Sequence, residues 1–173
     1  MTEIITKLNI ESAPHNNLIE FIDTRSIIKD PRNPNSNAIT RQFVYDTDPF
    51  MKAINFSYFP YIIVKSNSLI YSRLSANGKV KHLEFAHQIF IRTLKEGSSN
   101  VRSDKGRQDM QDICNAIQVL FNSENYKQQF RNLNMRNLLL DKSAGDETLV
   151  IQMRPIFEQV YRLTYETRLT VSD

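Results

Sequence analysis

Cysteine occurs once, at Cys114, and histidine three times, at His15, His82 and His87. A lone cysteine forms no internal disulfide, so nothing in the chain asks for an oxidising compartment. His82 and His87 are five positions apart. On a strand, where side chains alternate, they point to opposite faces and cannot share a metal ion. Four glycines and six prolines exclude a collagenous or low-complexity chain. Gly78, Gly97, Gly106 and Gly145 each stand in a separate segment, so no glycine-rich loop cradles a phosphate. The nucleophile elbow G-x-S-x-G is missing. So is any acidic residue with a lysine two positions on, the arrangement common in metal nucleases. No apolar run approaches the ~20 residues of a membrane span. The opening MTEIITKLNIES carries acidic residues and no long apolar stretch, which is not the pattern of a secretory signal. The expectation is a protein made and used inside a cell, with no cofactor or metal and no membrane partner.

Asp46 and Asp48 precede Pro49 and read as turn chemistry. An enzyme would have to assemble a site from these two and Glu84, so the chain is read as a non-enzyme. Net charge is +3, but residues 61–107 hold nine basic and three acidic side chains. That block suits either a solvated strand face or a surface toward an acidic partner or nucleic acid. Within it Arg102, Lys105 and Arg107 form a basic loop facing a partner or DNA. No aromatic residues are interleaved with them as a single-strand stacking groove would need.

The 173 residues predict a single domain, with 1–14 as a loosely attached arm and two loops, 29–37 and 95–107. Leu18, Ile19, Ile22 and Ile27 fit a short amphipathic helix. The stretch 38–56 matches no template. Pro60 begins a strand, since it lacks the N–H a ladder interior needs. Tyr61–Lys65 and Ser68–Leu74 read as two strands, and the Asn-Gly pair in 75–79 as a hairpin turn. Val80–Leu94 is a long strand with Leu83, Phe85, His87, Ile89 and Ile91 on one face. Asp104 is placed to cap a helix over 108–121, where Met110, Ile113, Cys114, Ile117, Leu120 and Phe121 recur at helical spacing. A short helix follows around 124–133, then strands at Asn137–Asp141 and Thr148–Met153 around a loop at 142–147. From Phe157 onward Tyr161, Leu163, Tyr165 and Thr167 alternate with Arg162, Thr164, Glu166 and Arg168, a half-buried antiparallel strand. The fold class is α+β, a mostly antiparallel sheet with helices packed on one face.

Apolar side chains fall on both sheet faces. Phe59, Tyr61 and Phe90 are either covered by a helix or form a subunit interface, where aromatics are favoured.

The leading helix, the turn-rich linker, the aromatic-proline strand entrance YFPYIIV and the long strand VKHLEFAHQIFIRTL set a pattern. The helix QDMQDICNAIQVLF and the closing strand FEQVYRLTYETRLTV complete it. Over residues 15–171 the order resembles the tail terminator or tail completion proteins of tailed viruses. The resemblance implies an α+β virion subunit forming a homo-oligomeric ring, commonly a hexamer, assembled in the host cytoplasm and placed at the head–tail junction. There it would cap the tail tube protein and meet the head–tail connector protein, with viral DNA passing through. A head-completion or connector-adaptor role and a nucleic-acid-binding accessory role through 61–107 stand as alternatives.

Overall fold

The structure, a computed structural model, describes residues 16, 18, 19, 22, 44–46, 59–74, 80–95, 104–151 and 154–170. The arm 1–14, the loop 29–37, the Asn-Gly turn, His15, Asp48 and Arg102 lie outside the described residues. Strands β1 (Val44–Tyr45), β2 (Tyr61–Leu74), β3 (Val80–Leu94), β4 (Arg136–Ile151) and β5 (Arg154–Thr170) form one sheet in the order β1-β2-β3-β5-β4. β1 pairs parallel to β2, and every other pairing is antiparallel. Helices α1 (Lys105–Asn122) and α2 (Glu124–Asn132) lie between β3 and β4 in the chain. The class is therefore α+β with a mixed sheet.

β3 lies between β2 and β5 and pairs with β5 from Val80↔Thr170 through to Leu94↔Ile156. Directly opposed residues share a face, so the register assigns the faces. The inner face carries Leu83, Phe85, Ile89 and Ile91 of β3, Ile62 and Val64 of β2, and Tyr161, Leu163 and Tyr165 of β5, all buried. Against it pack Met110, Ile113, Ile117, Leu120 and Phe121 of α1, with Leu18 and Ile22 from the helical residues near the N-terminus. Burying each such side chain contributes roughly 1.5–3 kcal/mol, enough to hold an otherwise polar helix to the sheet.

Two expected strand pairs are single strands. Tyr61–Lys65 and Ser68–Leu74 belong to one β2, whose pairing with β3 shifts between Asn67 and Tyr71. The expected loop at 142–147 lies inside β4, where the register against β5 shifts between Lys142 and Ala144 and again between Ala144 and Glu147. Bulges absorb turn-forming residues without ending a strand, which is why Ser143, Gly145 and Asp146 gave the appearance of a loop. The ambiguous stretch 38–56 contributes β1, too short to show a period.

α1 begins at Lys105, three residues before the expected Gln108. Asp104 caps it, its Oδ1 accepting the Gly106 N–H at 2.9 Å. Gly106 is where the helix touches the end of β3. A Cβ there would overlap the Leu94 carbonyl oxygen, and Thr93 donates its hydroxyl to the Gly106 carbonyl at 2.6 Å. α2 ends in a Schellman motif: Met135 N–H bonds the Phe130 carbonyl and Asn134 N–H the Arg131 carbonyl, both at 2.9 Å. Asn134 supplies the left-handed residue that the motif requires, at φ 58°. Phe130 and Met135 are fully buried beneath it, and Phe130 stacks on Phe121 at 5.2 Å.

Replacing Gly106 by alanine must push the helix start away from β3. The expected loss of stability is about 1–3 kcal/mol, the usual cost of overpacking, measured by urea unfolding. An alanine variant as stable as the wild type would show that the close approach is not maintained.

Candidate functional site

The outer sheet face is the surface on which the predicted site residues converge. No helix residue joins its apolar cluster among the described residues. At one end Phe59, Tyr61, Ile63 and Ile156 are buried, with Tyr45, Phe90 and Leu94 packed around them and partly exposed. The Phe59–Pro60 peptide is cis. Tyr61 makes edge contacts with Phe59 at 4.9 Å and Tyr45 at 6.2 Å. Arg92 crosses this end, donating from Nε to Glu158 Oε2 at 2.5 Å and from Nη1 to the Tyr61 hydroxyl at 3.2 Å. The guanidinium therefore satisfies a tyrosine that is 0% exposed and holds a carboxylate on β5.

Of the three aromatics expected at an interface, Phe59 and Tyr61 use their surface within the chain, at 1% and 0% exposure. Other side chains of the outer face contribute to this cover, not a helix among the described residues. Phe90 remains partly exposed, flanked by the Lys65 ammonium at 5.0 Å and the Arg92 guanidinium at 5.9 Å from its ring centre.

The opposite end of the outer face is polar. A concavity of about 350 Å³ is lined by Arg73, His82, Glu84, Asn137, Thr164 and Glu166, among others. Glu84 and Glu166 are directly opposed across β3 and β5, an arrangement that repels unless cations intervene. They do intervene. His82 Nδ1 bonds Glu166 Oε1, so that nitrogen carries the proton. Asn137 donates to Glu166 Oε2 at 2.7 Å, and Arg73 lies 3.8 Å from Oε1. Burial works against the carboxylate. The hydrogen bond and charge of His82, the Asn137 bond and the Arg168 charge outweigh it and hold the Glu166 carboxyl below its usual range. Sequence reading missed this cluster because His82 and Glu166 are 84 positions apart and meet only through the register.

His87 projects to the inner face, as the alternation requires, and is fully buried with Nε2 2.8 Å from the Tyr165 hydroxyl. Burial pushes that hydroxyl upward, so it stays protonated. Cys114 sits at the margin of the inner core. Lys105 and Arg107, expected in a loop, are helical because the Asp104 cap starts α1 early. Lys105 is exposed, whereas Arg107 folds back with its guanidinium 4.7 Å over the Phe157 ring. Asp46 follows β1, and Glu84 lies five strand residues beyond the pairing level that Asp46 continues. At about 3.3 Å per residue that is roughly 16 Å along the strands, so those carboxylates do not meet. No group of three or more potential metal-binding side chains occurs among the described residues. Nor is any helix among them long and apolar enough to cross a membrane.

Compared with models of known protein families and with curated proteins, the chain matches none.

Two outcomes follow from the two ends of the face. Phe59→Ala should destabilise the fold by about 3–5 kcal/mol, as deletion of a buried aromatic does. Phe90→Asp, beside Lys65 and Arg92, should cost far less; equal losses in chemical unfolding would contradict the placement. The Glu166 carboxyl binds fewer protons folded than unfolded. Its stabilising contribution is full above the ordinary value of 4.5 and vanishes as pH falls through the lower folded value. The stability gap between wild type and Glu166→Gln should therefore be widest above pH 4.5 and close below it.

Proposed function

We propose that this chain is a structural subunit of the head–tail junction of a tailed virus. In this reading it is a tail terminator whose copies close into a ring, cap the tail tube and meet the head connector. The observation that carries the reading is the order of elements. An aromatic-proline segment opens an apolar strand, a long strand pairs antiparallel to it, a capped amphipathic helix follows, and a long strand closes the sheet. That is the order on which the resemblance to tail terminators rests.

Three further features support a role in assembly. The helices cover the inner face and leave Phe90, Tyr45 and Leu94 partly exposed on the outer one. β4 is a sheet edge of 16 residues with Leu139 56% exposed on it, and such edges accept neighbouring segments. A cyclic ring needs two different patches that fit one another, which an outer face and a sheet edge supply. A head-completion or connector-adaptor role uses the same surfaces and differs in the neighbour bound. The nucleic-acid reading is weakened because Arg92 and Arg107, two cations of the 61–107 block, are held within the chain.

Solution mass together with negative-stain images of the purified chain, alone and added to tail tubes, tests the proposal. The expected result is a ring with a central opening whose formation resists added salt. A monomer that neither self-associates nor caps tubes, or one retained on DNA in a steeply salt-dependent manner, would overturn it.

A further inference from the structure

A second concavity, of about 450 Å³, opens where α2 runs into β4 beside the end of β5. Lys127, Arg131, Arg136 and Arg168 line it, and no carboxylate does. Phe121 and Leu138 contribute apolar lining. Lys127 and Arg131 are one helical turn apart and so share a face of α2. Arg131, Arg136 and Arg168 are exposed. Two acids stand beside the groove: Glu124 pairs with Lys127 on α2, and Glu166, opposite Arg136 in the β4–β5 register and within reach of the Arg168 charge, is held by His82 and Asn137. Arg131 has neither across from it.

The local fold builds this arrangement. The Schellman turn reverses the chain sharply enough that Arg136 follows Arg131 across the mouth of the cavity, and its two bonds occupy the Phe130 and Arg131 carbonyls that would otherwise repel an anion. Asn134 also donates its side-chain amide to the Arg168 carbonyl at 2.8 Å, tying the turn to β5. None of these four cations belongs to the basic 61–107 block.

We infer that this groove binds an acidic segment of a partner polypeptide, its carboxylates on the arginines and an apolar side chain against half-buried Leu138. Guanidinium groups accept carboxylates in a bidentate fork, and the volume lies within the range of ligand clefts. Nucleic acid is the poorer occupant. Single-strand sites offer aromatic faces for base stacking, whereas here Phe121 and Phe130 are buried in the core. The inference holds whether or not the chain forms a ring.

The test is a heteronuclear NMR titration of the full chain with two probes: a blocked peptide of glutamate pairs alternating with leucines, and a single-stranded DNA oligonucleotide of equal charge. The expected result is saturable shifts from the peptide confined to residues 127–138 and 168, weakened at least about tenfold by high salt. The double variant Arg131→Gln, Arg136→Gln changes exposed side chains only and sets no new carboxylate opposite Glu166. It should lose at least about tenfold in peptide affinity with an unchanged melting temperature. Absence of saturable peptide shifts, their persistence in the double variant, or tighter binding of the oligonucleotide at the same residues would overturn the inference.

Discussion

A strand paired on both edges can send its side chains only to one face or the other, and β3 is in that position over nearly its whole length. The alternation from Leu83 to Ile91 therefore decides what every neighbour must do. Apolar residues on one parity demand a helix, and α1 meets them with Met110, Ile113, Ile117 and Leu120. The other parity mixes Phe90 and Leu94 with His82, Glu84 and Arg92, so the outer face divides along its length. One end is an apolar cluster closed by the Arg92–Glu158 pair, and the other is an ionic cluster around Glu166. A one-residue slip of β3 against β5 would put His82 and Arg92 into the helix interface. Gly106 fixes the remaining degree of freedom by bringing the start of α1 against the last residue of β3.

Division of labour between faces accounts for the functional reading. The inner face is complete within one chain, because two helices and the helical residues near the N-terminus bury the apolar side chains of β1, β2, β3 and β5. The outer face keeps partial exposure of Phe90, Tyr45 and Leu94, and the basic groove at α2 borders the core at Phe121, Phe130 and Met135. On the outer face the ionisable cluster neutralises itself, with His82 and Arg73 on Glu166 and the Asn137 amide donating to it. Such sets position strands and shape surfaces, which suits a subunit that works by contact.

Local periodicity made much of the fold legible. The limits of β3, the alternation of β5, the apolar stripe of α1 and the Asp104 cap are each written within a few residues, and the sequence reading places them where they stand. The sequence suggests pairs of shorter strands in place of β2 and β4 because bulged strands tolerate residues that elsewhere make turns. β1 has only two residues and owes its pairing to β2 alone. Of the candidate aromatics, Phe90 keeps its surface while Phe59 and Tyr61 are consumed inside, a distinction that depends on side chains from β1 and β3. The Glu166 cluster and the α2 groove were invisible for the same reason: their members meet through register and a tight turn. A signal did exist in the run of Asn132, Asn134 and Asn137, since asparagine is the residue other than glycine that most readily takes the left-handed form closing a helix.

The central claim is that the inner face is sealed within each chain while the outer face is left for neighbours. Hydroxyl-radical footprinting of the isolated and the assembled chain measures this directly. Met110, Met135 and Tyr165 should be protected in both states, and Tyr45, Phe90 and Leu139 should be modified in the isolated chain and protected on assembly. Modification of Met110 and Tyr165 in the isolated chain, with protection appearing only on assembly, would contradict the account.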